Sequence, residues 1–201
     1  MRSKVTSIFI DGSNLYATIK ALGLSAIDYK KIITHFDGTI HKAMYFTALP
    51  PKEEPSSLRP MVDYLEYNGW SVIQKEWKQF VDPVTKQVKT KGNMDVETTT
   101  MCLDLAQYNS DTVLFTGDGD FRFLVETLQR RYGHKVTVVS TLHTRPAMIA
   151  DDLRRQADHF IDLVDIHPKI KQVAKAAQAD ETLKLRRYKF NAGDGGNHGQ
   201  G

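Results

Sequence analysis

Thr112-Val113-Leu114-Phe115-Thr116-Gly117-Asp118-Gly119-Asp120-Phe121 passes from an unbroken apolar run into a glycine-rich turn bearing two aspartates. A strand without polar alternation buries both faces, which is the habit of parallel sheets covered by helices on either side. The same grammar recurs along the chain. Residues 5–10, 43–47, 71–76, 136–140 and 160–164 join 112–116 as expected strands. Residues 14–22, 29–36, 56–68, 95–108, 121–132 and 146–156 read as helices, with Gly69 and Gly133 at helix ends. This alternation predicts an α/β fold of three layers around a central, mostly parallel sheet. The stretch 80–90, with Asp82-Pro83 between two short arms, reads as a basic hairpin excursion.

Four aspartates lie where strands hand the chain to loops or helices. Asp11 follows the strand 5–10, Asp118 and Asp120 follow 112–116, and Asp95 opens the helix before that strand. In an open parallel sheet, ligands bind beyond the carboxyl ends of the strands, where the strand order reverses. If the first strand neighbours the fourth, Asp11 and Asp118 meet at that point. Gly12, Gly117 and Gly119 are expected to keep side chains out of a ligand's way. Gathered carboxylates repel and raise one another's pKa unless a cation sits among them. With no paired His or Cys nearby, Mg²⁺ or Mn²⁺ is the expected cofactor rather than zinc. Such a site suits phosphodiester hydrolysis by a metal-activated water. Ser13, Asn14 and the backbone N–H groups opening the first helix are expected to hold that water or a phosphate. Taken singly, each aspartate serves equally well as a turn or helix-cap residue; the argument rests on their convergence. Asp104, nine residues beyond Asp95, falls on the opposite helix face and is expected to be structural or supporting. The seven histidines show no ligand spacing and read as ordinary surface or loop residues.

At 201 residues, with 41% hydrophobic and 25% charged side chains, the chain suffices for one core. No apolar run reaches the roughly 20 residues of a membrane helix. The run 5–10 leads directly into Asp11 without the small-residue site of a signal peptide. Cys102 is the one cysteine, which excludes an internal disulfide and a cysteine-cluster zinc site. A reducing, cytoplasmic setting without membrane association is therefore expected.

The net charge is only +3, but it is segregated. Residues 75–91 carry five lysines against Glu76 and Asp82, and residues 167–190 carry seven Lys/Arg against Asp180 and Glu181. Basic flanks around an acidic remainder suit a polyanionic partner, although solvated faces are often lysine-rich too. Lys86, Lys89 and Lys91 of the hairpin are expected to grip a nucleic-acid backbone, with Trp77 or Phe80 either stacking on a base or packing beneath the hairpin.

In these residues the chain resembles the NYN branch of the PIN-like nucleases, specifically the bacterial LabA-like group. The pieces are Phe9-Ile10-Asp11-Gly12-Ser13-Asn14-Leu15, Lys91-Gly92-Asn93-Met94-Asp95-Val96-Glu97 and Phe115-Thr116-Gly117-Asp118-Gly119-Asp120-Phe121. Gly133-His134-Lys135-Val136-Thr137-Val138 and Ala157-Asp158-His159-Phe160 follow in order. Thr116 and Gly119 stand where the group often has serine. The resemblance spans roughly residues 5–165 and implies a PIN-like (Rossmann-like) sheet and a Mg²⁺ or Mn²⁺ cofactor. It also implies endoribonuclease chemistry leaving a 5′-phosphate and a 3′-hydroxyl. It maps Asp11, Asp95, Asp118 and Asp120 onto the catalytic metal site and Asn14 onto a supporting polar position. The expected organisation is a nuclease domain at 1–165, a basic C-terminal helical extension at 166–190 and a flexible glycine-rich tail at 191–201. RNA is the expected partner, and a homo-oligomer is compatible with the sequence.

Two other readings compete. Gly117-Asp118-Gly119 after a strand resembles a signature of the haloacid dehalogenase phosphatases. That family needs a second aspartate where Ser13 stands and an acid where Arg122 stands, so the match fails twice. The stronger alternative is a non-catalytic RNA-binding or regulatory protein-interaction module that retains the fold.

Overall fold

A computed structural model describes residues 4–81 and 88–173. At its centre is β1 (Val5–Asp11), followed by α1 (Gly12–Leu22), α2 (Tyr29–His35), β2 (Thr39–Leu49), α3 (Leu58–Tyr67) and β3 (Ser71–Glu76). A short antiparallel pair, β4 (Lys78–Val81) and β5 (Val88–Lys91), leads into α4 (Asp95–Leu105) and β6 (Asp111–Phe115). A 3₁₀ turn (Gly119–Phe121) opens α5 (Arg122–Thr127), which ends in a wider turn at Leu128–Tyr132. β7 (Lys135–Ser140), α6 (Asp151–Gln156), β8 (His159–Asp162) and α7 (Leu163–Ile170) complete the described fold.

The main sheet has the order β3-β2-β1-β6-β7-β8, and every neighbouring pair is parallel. The chain thus builds outward from β1 on one side, then returns to build outward on the other. The strand order reverses between β1 and β6, where Ile10 pairs with Phe115. The expected three-layer α/β architecture is present, and its switch point lies at the expected strands.

Alternate residues of β1 serve two cores, which is why its apolar run is continuous. Phe9 packs with Phe46, Leu114 and Val138 beneath Cys102, Leu124 and Leu153 of α4, α5 and α6. Ile8 and Ile10 pack with Tyr45, Val113 and Phe115 against Leu15, Ile32 and Leu163 of α1, α2 and α7. Each such side chain, fully removed from water, contributes about 1.5–3 kcal/mol before entropy is counted. In α4 the buried residues are Thr98, Cys102 and Leu105, the i, i+4, i+7 stripe of a helix lying on a sheet. That stripe fixes the helix so that Asp95 begins it above the sheet's carboxyl edge, while Asp104 is exposed.

Three expectations are corrected. The strand expected at 160–164 ends at Asp162, because the Asp162 carboxylate accepts from the Val164 N–H and caps α7. The helix expected at 146–156 begins only at Asp151, because Ala150 N donates to Gly117 O and Ile149 N to Thr141 O. Those backbone groups are committed elsewhere before a helix can start. His134 and His167 are buried rather than superficial: His134 bridges Thr112 Oγ1 and Ala106 O, and His167 meets Ser25 O.

The expected domain edge at 165 falls inside α7, whose Ile166 and Ile170 belong to the core beside α2. Beyond it, Ile27 bridges Lys171. The remainder of the expected basic extension and the glycine-rich tail, 174–201, lie outside the described residues. No described helix is long and apolar enough to cross a membrane.

Candidate functional site

β1 delivers Asp11 to the start of α1, where it behaves as the short acceptor a helix N-terminus requires. Its Oδ1 accepts from Ser13 N at 3.1 Å, Asn14 N at 3.1 Å and Ser13 Oγ at 2.8 Å. The donors expected to hold a phosphate or water are therefore already engaged by Asp11 itself. Ser13 fixes the carboxylate, and Asn14 turns the other way. Its Oδ1 accepts from Gly117 N at 3.0 Å, clasping α1 to the loop after β6.

That loop is self-organised by the same chemistry. Thr116 Oγ1 accepts from Asp118 N at 3.2 Å, and Asp118 Oδ1 accepts from Asp120 N at 3.0 Å, so Asp118 caps the 3₁₀ turn that carries Asp120. Gly12 and Gly117 do not clear space for a ligand, contrary to expectation; they admit neighbouring parts of the protein itself. A Cβ on Gly117 would lie 2.0 Å from the Met148 carbonyl oxygen, and one on Gly12 would lie 2.7 Å from the Phe46 carbonyl oxygen.

Asp95 approaches from α4, with Asn93 Nδ2 donating to its Oδ2. One carboxylate oxygen each from Asp95, Asp118 and Asp120 lies within 4.8 Å of the other two. Asp11 stands outside this triplet, but its charge is felt there. Burial, then the charges of Asp118, Asp11 and Asp120, push the Asp95 carboxyl above its ordinary range, while Lys75 opposes them. Three of the four expected acids are thus brought together, with the fourth on the adjoining strand.

The donor set is carboxylate oxygen alone, which suits a hard divalent cation such as Mg²⁺ or Mn²⁺. The nearest cation of note, Lys75, is committed to Glu97, with Nζ at 2.8 and 2.9 Å from its two oxygens. That hydrogen bond holds the Glu97 carboxyl below its usual range.

Several residues of the site escaped sequence reasoning. Lys75 was counted only as charge, and Glu97 and Asn93 only as parts of a motif. Asp152, at the start of α6, places Oδ1 3.1 Å from where a Cβ on Gly119 would sit. Nothing local in the sequence announces that approach. Of the expected nucleic-acid residues, Lys86 lies outside the described residues. Lys89 and Lys91 fall on β5, whose backbone pairs Phe80 with Lys89 and Lys78 with Lys91, and which runs directly into Asn93 and Asp95.

Beside the triplet, beyond the carboxyl ends of β2 and β3, lies a groove of about 690 Å³. Tyr16, Phe46, Thr47, Trp77 and Met94 line it, together with Ser13 and Asn93, the two residues that hydrogen-bond Asp11 and Asp95.

Comparison with known proteins agrees with this architecture. The family model described as NYN domain matches residues 5–165. The low amplitude and bright protein LabA of Synechococcus elongatus is 30% identical over 174 residues, covering 84% of this chain and 89% of that protein. A crystal structure of a protein of unknown function from Vibrio parahaemolyticus superposes with a TM-score of 0.65 at 26% identity. The match covers 80% of this chain and 93% of that one.

Proposed function

The chain belongs to the NYN domain family, and from that premise we propose that it is a divalent-metal-dependent endoribonuclease. The observation that carries the proposal is the triplet Asp95, Asp118 and Asp120 at the β1–β6 reversal, with Asp11 beside it and a raised Asp95 carboxyl. Carboxylates held close together against their mutual repulsion are a usual mark of a site that takes a cation.

Asp95, Asp118 and Asp120 would hold Mg²⁺ or Mn²⁺, with Asp11 as the fourth acid. When bound, such an ion supplies Lewis-acid stabilisation of a phosphodiester undergoing hydrolysis. The chain's own residues do the positioning. Ser13 holds Asp11 in one orientation, and Asn14 locks α1 to the acid loop so that acids from β1 and β6 keep their spacing. Asn93 steadies Asp95 from the segment that β5 feeds. Lys86, Lys89 and Lys91 supply cationic contacts to the backbone of an incoming strand, which makes binding weaken with salt.

The test is incubation of the purified protein with end-labelled single-stranded RNA in Mn²⁺, in Mg²⁺ and in EDTA. Internal cleavage that needs the metal and disappears in Asp118→Asn supports the enzyme. Tight RNA binding without cleavage, unaltered by that substitution, instead identifies a regulatory RNA-binding module.

A further inference from the structure

We propose that the groove beside the acid triplet receives one unpaired base of the bound strand, next to the phosphate held at the acids; this rests on the nuclease reading. The first support is position. Ser13 and Asn93 line the groove and also hydrogen-bond Asp11 and Asp95, so the two sites share walls. A group seated in the groove therefore meets the same two side chains that hold two of the acids.

The second support is chemistry. Although the groove shares Ser13 and Asn93 with the acids, every residue lining it is uncharged. Such a lining rejects a phosphate and accepts a flat neutral ring with a polar edge. Phe46 and Met94 give an apolar floor, while Thr47 and Asn93 offer hydrogen-bonding groups. About 690 Å³ lies within the range of small-ligand pockets, with room for a base and its sugar.

The third support is the pair of aromatic walls. Tyr16 projects from α1 one turn beyond Ser13 and is 64% exposed, although its neighbour Leu15 is buried. The main-chain N–H of Trp77 donates to Leu49 O at 2.8 Å and Gly92 packs closely against its Cβ, which fixes where the ring leaves the backbone. A ring held in place loses little freedom when a base stacks on it. The groove therefore selects strands whose bases are free, because a base inside a duplex cannot turn into it.

The experiment measures binding without cleavage. Asp118→Asn protein in EDTA is titrated with a fluorescent single-stranded oligoribonucleotide, with the same strand carrying one abasic position walked along it, and with nucleoside monophosphates. The expected result is that one abasic register weakens binding about 10-fold or more. Tyr16→Ala should abolish that difference while thermal melting shows the fold intact. Trp77→Phe keeps a ring and should retain part of the discrimination. Equal affinity for intact and abasic strands overturns the proposal. So does a mononucleotide that binds as tightly as the strand, which would make the ligand a free nucleotide. The nuclease reading fails separately: base-dependent binding without cleavage by the unsubstituted protein removes the enzyme and keeps the groove, whereas equal cleavage of intact and abasic strands does the reverse.

Discussion

Two sets of aspartates in this molecule have opposite electrostatic fates. Asp158 and Asp162, at either end of β8, are surrounded by donors. Asp158 accepts from Val136 N, Gln129 Nε2 and Lys135 Nζ; Asp162 accepts from Thr141 Oγ1, Leu142 N, His143 Nδ1 and Val164 N. Burial pushes both carboxyls up, but these hydrogen bonds outweigh it and hold both below the usual carboxylate range. Asp95 is half-buried, but its neighbours are Asp118, Asp11 and Asp120, and its carboxyl is raised. The first set has its partners within the chain. The second set is also capped locally, but its acids face one another, and that difference separates residues that hold the fold from residues proposed to serve something outside it.

Breaking the second set should cost activity and spare the fold. Asp118→Asn retains the acceptor that caps the 3₁₀ turn but removes a charge from the triplet. Cleavage of labelled RNA should fall by more than about 100-fold, beyond the usual loss for a group one shell from a metal. The melting temperature in EDTA should rise, because repulsion at Asp95 is relieved. A lower melting temperature would show that the acids are structural after all.

Adding a divalent cation tests the same contrast from the other side. Mn²⁺ at about 100 times its Kd should stabilise the protein by about 2.7 kcal/mol in a thermal melt. Asp118→Asn should lose most of that gain, while Asp162→Asn should keep it.

The first set should behave in the opposite sense. Asp162→Asn removes the charge from a carboxylate that receives four hydrogen bonds, and should cost about 1–3 kcal/mol at neutral pH. For a chain of this size each kcal/mol lowers the melting temperature by about 2–4 °C. The pH dependence follows from the depressed pKa of Asp162. Its stabilisation is fully present above the unfolded value of about 4 and is lost as pH falls through the lower folded value. The stability gap between the two proteins should therefore close on acidification below about pH 4. A gap that stays constant would mean that the loss is steric. The smallest effect is expected at Lys135→Met. Lys135 is 66% exposed, so its ion pair with Asp158 should contribute less than about 1 kcal/mol, while the Val136 N–H and Gln129 still hold the carboxylate.

Much of the fold could be read from local pattern because burial on both faces writes itself into composition. Thr112-Val113-Leu114-Phe115 has no alternation, and it became a central strand between two cores. Where burial is one-sided or partial the pattern fades. Thr39–Lys42 extend β2 well before residue 43, although His41 and Lys42 are exposed and the apolar run has not begun. Their pairing with β1 is a backbone affair that side-chain periodicity does not record.

The site was legible to the extent that it depends on residue type and strand order. Asp95, Asp118 and Asp120 converge, with Asp11 at the neighbouring strand end. What could not be read was which hydrogen bonds the site spends on itself. Ser13 and the first N–H groups of α1 look like phosphate ligands until Asp11 is seen to occupy them. Gly117 looks like room for substrate until Met148 is found against it. Both cases have one cause: contacts made in the folded chain decide what a local motif is free to do.

The central position of β1 also imposes an order on biosynthesis. Asp11 leaves the ribosome early, but its strand gains β6 as a neighbour only after the segment through Phe115 has emerged, and Asp118 and Asp120 follow later still. A nascent chain therefore carries Asp11, and then Asp95, on an incomplete sheet until β6 and the loop after it have emerged. If the assembled acids cut RNA, the message being read is safe from its own product until Asp118 and Asp120 have joined the sheet.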